Sequence, residues 1–255
     1  MKEQAQAKEK AKRKPRNPDE MSLFEHLDEL RQRFVKALIG LVIGFIIGAF
    51  FTTPVLQWLI QPLGDTGPVS LSPTETPSVF FKIAMLIGLV LAMPVIMYQV
   101  FQYARPGLVD KERRYVLIGA PAASLLFAGG VIFAGAVMLP ASIRFLKGFL
   151  EEVIKPTYSI DKYVSFVLSI LTWAGIVFET PLVMFFLSKL GVITPKGFAK
   201  ARRIVIVVAA IAAAVLTPTV DPVSMLLLKA PLILLYEVGI LLAKLGRPKP
   251  VASSS

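Results

Sequence analysis

Long apolar stretches separated by short polar or Pro- and Gly-rich punctuation dominate the chain. A run of roughly 20 apolar residues suffices to cross a hydrocarbon core. The pattern predicts spans over Phe34 to Thr53, Val79 to Tyr103, Tyr115 to Leu139, Tyr163 to Leu190, Arg203 to Leu216 and Val223 to Ala243. Between the first two lies QPLGDTGPVSLSPTETPS, whose Pro, Gly, Ser and Thr mark an extramembrane loop. GAPAASLLFAGG in the third span and AAIAAA in the fifth supply small residues that let neighbouring backbones approach closely. The fifth span is short: Ile204 to Leu216 makes about 20 Å of helix against a core of about 30 Å, so it thins the bilayer or leaves polar residues at depth. Ahead of the first span, SLFEHLDELRQRF has Leu23, Leu27, Leu30 and Phe34 on one face and Ser22 and Glu25 at capping-box spacing. That describes an amphipathic helix lying on the membrane before the chain turns into span one.

Composition agrees with the pattern. Hydrophobic residues are 55% of 255 and the mean hydropathy is +0.67, so the chain reads as an all-α integral membrane protein with too little polar sequence for a separate globular domain. Residues 21–245 form the six-helix transmembrane domain, 1–20 a disordered basic arm free of large apolar groups apart from Met1, and 246–255 a tail. The arm followed by LIGLVIGFIIGAFF has the layout of a secretory signal, but the run is too long and lacks a small-residue cleavage site before TTPVLQ, so it is expected to stay as a helix. Lys and Arg concentrate in the tails and in the loops after spans two and four, whereas the opposite loops hold only Arg144, Lys147, Lys155 and Lys162. The positive-inside rule therefore predicts both termini in the cytoplasm, in keeping with an even number of spans. The net charge of +11 reads as topology and contact with anionic membrane lipids, with no nucleic acid as partner. Zero cysteines exclude disulfides and thiol chemistry.

The candidate chemistry is sparse. Glu179 sits inside the apolar run WAGIVFETPLVMFF, where a carboxylate costs several kcal/mol and marks a functional site by default. Pro181 cannot donate to the carbonyl of Val177, so the helix opens locally and polar groups there need water or a partner. Glu29 and Glu112 both fall at the cytoplasmic surface and offer two carboxylates to a cationic ligand; equally, Glu29 and Arg33 have the spacing of a plain i, i+4 pair. Pro106 and Gly107 make a turn, Asp110 starts span three and Glu112 lies in its first turn, where the helix dipole favours an anion. Lys82 and Lys229 lie near span ends, where snorkelling suffices. Trp58 and Tyr163 fit interfacial belts, Trp173 fits the core, and Glu237 suits internal pairing in span six. The lone histidine, His26, lies outside the membrane, no span holds a deep Asp, and there is no phosphate-binding loop, so neither catalysis, metal nor cofactor is expected. One buried Glu in a kinked helix also suits a proton-coupled small-solute transporter, against which stand the lack of a paired internal repeat and of polar groups at the midplane.

Six motifs carry a resemblance. HLDELRQRF at 26–34, MPVIMYQ at 93–99, DKERR at 110–114, FETP at 178–181, LTP at 216–218 and YEVG at 236–239 occur in this order, and together they resemble the TatC family, the polytopic core of the twin-arginine protein translocase, over about residues 22–245. The resemblance implies a concave bundle that receives twin-arginine signal peptides of folded substrates, with Glu29 and Glu112 as the arginine-binding acids. A guanidinium fork meets a carboxylate bidentately and a lysine does not, which suits acids to that task. By the same resemblance Arg31, Arg113 and Arg114 shape this surface, Tyr103 is an aromatic beside it, and Pro62 is a proline of the first external loop. Glu179, with Pro181, would face a partly hydrated cavity linked to the single-span subunits TatA and TatB; the alternative is a buried Glu hydrogen-bonded within the bundle. Asp221 would take part in translocation or simply start span six. Self-association in a larger complex and energy from the proton gradient are further implications.

Overall fold

The structure, a computed structural model, describes residues 23–64, 67–104, 114–148, 157–216 and 222–245. The basic arm, the C-terminal tail, Glu112, Arg113 and Asp221 lie outside the described residues. The described chain is helical, in the order α1 (Leu23–Phe50), α2 (Thr52–Ile60), a 3-10 turn (Gln61–Leu63), α3 (Glu75–Ala104), α4 (Arg114–Phe133), a π-helical segment (Ala134–Met138), α5 (Leu139–Gly148), α6 (Ile160–Phe178), α7 (Thr180–Lys189), α8 (Pro195–Leu216) and α9 (Pro222–Leu245). Among the described residues, five stretches are long and apolar enough to cross a membrane: Leu27–Phe50, Glu75–Tyr103, Ile118–Gly148, Ile160–Lys189 and Met225–Leu245. Helix α8 is not among them, because Lys196, Lys200, Arg202 and Arg203 occupy its first turns and only Ile204 to Leu216 is apolar.

The first helix corrects the sequence expectation. Instead of lying on the surface and turning, Leu23–Phe50 is one unbroken helix of 28 residues, about 42 Å long. Nothing between Leu23 and Ile39 interrupts it, since the segment contains neither Pro nor Gly. It ends at Phe51, whose φ of −103° and ψ of 6° leave helical geometry before α2 begins.

What holds α1 to α3 is a glycine contact. A Cβ built on Gly44 would lie 2.5 Å from the carbonyl oxygen of Gly88, one on Gly48 would lie 2.6 Å from that of Ala84, and one on Gly88 would lie 2.6 Å from the amide nitrogen of Phe45. With Gly40, these make a small-xxx-small ridge at 40, 44 and 48 that lets the two backbones touch, the usual means of association where lipid removes the hydrophobic drive. Of the two small-residue stretches expected to pack, the one in α4 does so through Gly130, against the carbonyl of Ala174, and Gly119, against the ring of Phe186. In α8 only one side of the stretch is covered: Ala209 and Ala213 are buried and Ile211 is exposed.

Three apolar clusters fill the interior. The largest joins Leu59, Leu63, Ile83, Met138, Leu139, Val164 and Leu171 at the end of the molecule where α2 caps the bundle. A second joins Met93, Met97, Phe101, Phe127 and Phe186 toward the opposite end, with Phe101 and Phe186 stacked at 4.2 Å. A third joins Met184, Phe198, Tyr236 and Ile240 across α7, α8 and α9.

The α2 cap is pinned at several points. The Tyr163 hydroxyl donates to the Leu59 carbonyl at 2.6 Å, and Lys147 Nζ donates to the Leu63 carbonyl at 2.7 Å. The indole of Trp58 occupies the space where Gly135, in the π-helical segment, has no side chain. Tyr163, expected in an interfacial belt, is therefore a buried structural donor, and Trp173, expected in the core, is 38% exposed. The Tyr163 placement is not distinguishable from sequence, because an aromatic near a span end fits both environments; Trp173, mid-way along its span, could face either the bundle or its surroundings until the packing of α6 is known.

Candidate functional site

Two carboxylates stand out, one at each of two packed junctions. The first is Glu29. Its Oε1 accepts from Arg33 Nη2 at 3.1 Å, while Arg33 Nη1 reaches toward Gln99 Oε1 on α3 at 3.5 Å. The second oxygen, Oε2, is buried and has no hydrogen-bond partner among the described residues. The i, i+4 pair anticipated from spacing thus exists, but it engages only half of the carboxylate.

Beside this cluster runs an apolar groove of about 360 Å³ between α1 and α3. From α1 it is lined by Leu30, Arg33, Phe34, Ala37, Leu38 and Leu41, and from α3 by Ile96, Gln99, Val100 and Tyr103. The spacings i, i+3, i+4, i+7 repeat on both helices, so one face of each builds a wall. The groove brings together Tyr103 and, through Arg33, Glu29. Arg31 points elsewhere on α1 and is exposed. Arg114 opens α4, but its side chain lies outside the described residues, as do Glu112 and Arg113 altogether. The sequence reading did not assign Arg33 or Gln99 to this site. The signal was available, since Gln99 ends MPVIMYQ and is one helical turn from Tyr103.

The second carboxylate is Glu179. The helix breaks there: α6 ends at Phe178, α7 starts at Thr180, and Glu179 itself has φ −73° and ψ −15°. Pro181, in the first turn of α7, lacks the N–H that would continue α6, and the Glu179 carbonyl instead receives Leu182 and Val183 N–H at 3.0 Å each. Pro181 is fully buried against α9, near Gly239. Glu179 is only 7% exposed, has the Phe127 backbone close by, and neither of its carboxylate oxygens has a hydrogen-bond partner among the described residues. It is enclosed in the bundle, and the Phe127 backbone is the polar group that faces it. The adjoining groove, about 600 Å³, is purely apolar; Phe133 and Phe178 face Leu226, Leu227, Ala230, Pro231, Leu234 and Leu235 of α9 across it.

At the capped end a polar cluster ties α3 to α6. Lys82 Nζ lies 2.7 Å from Asp161 Oδ1 and 2.9 Å from Ser165 Oγ, and Ser78 Oγ donates to the same Asp161 oxygen at 2.7 Å. Above it, Ser159 Oγ donates to Glu75 Oε1 at 3.1 Å, and Val69 bridges to the backbone of Tyr158 and Ile160. Lys82 is therefore an interhelical anchor and not a snorkelling side chain. Glu237 likewise pairs outside its own helix, with Arg202 of α8 at 2.7 Å. Pro62 sits half-buried in the 3-10 turn of this capped end, far along the chain from Glu29.

Comparison with known proteins gives one answer. The family model described as TatC, Sec-independent protein translocase protein, matches residues 25–231. A Sec-independent protein translocase protein TatC of Carboxydothermus hydrogenoformans is 38% identical over 231 residues, covering 90% of this chain and 95% of the relative. Its counterpart in Aquifex aeolicus is 38% identical over 235 residues, covering 90% and 97%, and a chloroplastic relative from Pisum sativum is 35% identical over 230 residues, covering 89% and 65%. Two crystal structures described as the twin-arginine translocase receptor TatC, one of them in DDM, superpose with TM-scores of 0.76 and 0.78 at 37% identity, covering 87% and 86% of this chain and 99% of each structure.

Proposed function

This chain belongs to the TatC family of Sec-independent protein translocase proteins, and on that premise we propose that the end carrying Glu29 receives the paired arginines of signal peptides while the α1–α3 groove receives their apolar part. The chain is a multi-pass membrane protein and a core component of the twin-arginine translocase, which works with other subunits. Family membership removes the solute-carrier alternative.

One observation carries the receptor reading: a buried carboxylate oxygen without a partner at Glu29, beside an apolar groove long enough for a hydrophobic segment. A ligand that presents a guanidinium followed by apolar residues satisfies both features, since charge-assisted bidentate contacts are the strong ones and an uncompensated buried oxygen is expensive. Glu112 supplies the second acid in this reading, with Arg31, Tyr103, Arg113 and Arg114 shaping the surface.

The topology that fits has six spans, α8 being the short fifth, with both termini in the cytoplasm of a cell whose cytoplasmic membrane holds the protein; the Lys and Arg distribution supports it. Glu179 and Pro181, beside the apolar groove on α9, form the contact region for the single-span partners TatA and TatB, whose assembly opens the path. Pro62 and Asp221 serve at the external side, and the proton gradient supplies the energy.

The test is binding of a twin-arginine signal peptide to the purified protein, with a Lys-Lys peptide and the variants Glu29→Ala and Glu112→Ala for comparison. Loss of binding with each change is the expected result. Binding indifferent to all of them removes the carboxylate site.

A further inference from the structure

Arg33 is the residue that the receptor reading leaves without a task. It lines the apolar groove, yet its guanidinium is held by the carboxylate that is to hold a ligand's guanidinium. Its hold is partial: one nitrogen, Nη2, meets one oxygen, Oε1, at 3.1 Å, and Oε2 stays buried and unpartnered among the described residues. The other nitrogen, Nη1, already points at Gln99 Oε1 across the groove, at a looser 3.5 Å.

We propose that Arg33 is an intramolecular placeholder at the arginine site, which an incoming guanidinium displaces from Glu29 toward Gln99. The inference rests on the receptor reading above and adds a regulatory contact to it. The physical argument is one of geometry. A carboxylate has two oxygens and is best matched by the two parallel N–H donors of a guanidinium fork. Arg33 and Glu29 are four residues apart on one helix, and the pair as it stands makes one such contact. A ligand arginine arriving from outside the helix is free of that tether, uses Oε1 and Oε2 together, and removes the burial penalty of the orphan oxygen. Gln99 is the acceptor that keeps the released Arg33 from being left uncompensated beside an apolar wall. In the empty protein the same pair keeps Glu29 from standing as a fully unpaired charge next to the groove.

The experiment measures affinity of a twin-arginine signal peptide for the detergent-purified full chain, wild type against Arg33→Gln, with Arg33→Lys, Gln99→Leu and Glu29→Ala alongside. A residue that merely supports the fold lowers affinity when removed; a placeholder raises it. Arg33→Gln is expected to bind about two- to fivefold tighter, the worth of a partly buried i, i+4 pair. Arg33→Lys, a weaker monodentate competitor, falls between. Gln99→Leu is expected to weaken binding by the wild type and to have no effect in the Arg33→Gln background, because its acceptor then has no guanidinium to receive. Should Arg33→Gln fold poorly, the Arg33→Lys and Gln99→Leu results carry the test. Unchanged or weaker binding by both Arg33 variants, while Glu29→Ala still abolishes binding, overturns the placeholder and leaves the receptor intact. Indifference of wild-type binding to Glu29→Ala overturns both.

Discussion

Lys82 on α3 and Asp161 on α6 meet at 2.7 Å, 79 positions apart in the chain. Two serines complete the cluster: Ser78 shares the carboxylate and Ser165 takes a second proton of the ammonium. The pair is neither a surface ion pair, since both side chains are more than half covered, nor a dry one. Removing Asp161 strands the ammonium, so Asp161→Ala is expected to cost about 1–2 kcal/mol, and Lys82→Ala about the same, with the double variant losing less than the sum. Thermal unfolding in detergent checks this, and additive losses would show that the two residues act separately.

Gly44→Ala is expected to lower stability by about 1–3 kcal/mol or more, because its methyl group would meet the Gly88 carbonyl, a backbone atom that cannot swing aside. Gly129→Ala provides the control: nothing lies within 4 Å of a Cβ there, so the substitution is expected to be neutral or mildly stabilising through helix propensity. Equal effects at the two positions would argue against the glycine contact.

Glu179→Leu is expected to stabilise the fold by about 1–3 kcal/mol, read as a higher unfolding temperature, because it removes a buried carboxylate whose loss of hydration outweighs what the Phe127 backbone returns. Export of a twin-arginine substrate is expected to fall in the same variant. Stability and transport moving in opposite directions identifies a group kept for its task, as functional sites commonly trade one for the other. A variant that is less stable and still transports would contradict this.

Pro181→Ala restores an N–H in the first turn of α7 and allows α6 and α7 to merge. Spin labels at Lys162 and Lys189, on either side of the break, are expected to report a longer and narrower distance distribution in the variant, with little change in stability. An unchanged distance would mean that packing of α7 against α9, and not the proline, sets the bend.

The sequence and the structure agree where the information is local. Apolar run length points to the same five stretches that form long apolar helices, although the first begins at Leu27 and not Phe34 and the third runs on to Gly148 and not Leu139. Pro181 marks a local opening, but Pro94, Pro121 and Pro231 sit inside continuous helices, so proline alone does not announce the break at Glu179. Glu29 was readable as a candidate, and its pairing with Arg33 follows from spacing four. Gly40, Gly44 and Gly48 were equally visible, but a glycine ridge acquires meaning only once its partner helix is known, and Gly88 and Ala84 sit some 40 residues on. Lys82 looked like an isolated charge near a span end for the same reason, its partner Asp161 lying 79 positions on. The π-helical segment at Ala134–Met138 was not read from the sequence, and the Trp58 ring that rests against its Gly135 comes from another part of the chain. The unbroken course of α1 was missed because an amphipathic stretch and a spanning stretch were read as two objects, although nothing between them stops a helix.

That continuity gives α1 the character of a ruler. Glu29 and the last groove residue on its own helix, Leu41, are fixed on one rigid rod, and the twelve residues from Leu30 to Leu41 measure about 18 Å along the axis. On the receptor reading proposed above, a guest anchored by its charge at Glu29 would have its apolar portion gauged against a scale whose graduations are helical turns. A guest whose greasy stretch began too late, or stopped too soon, would leave part of that wall uncovered, so spacing within the guest would be measured as well as its chemistry.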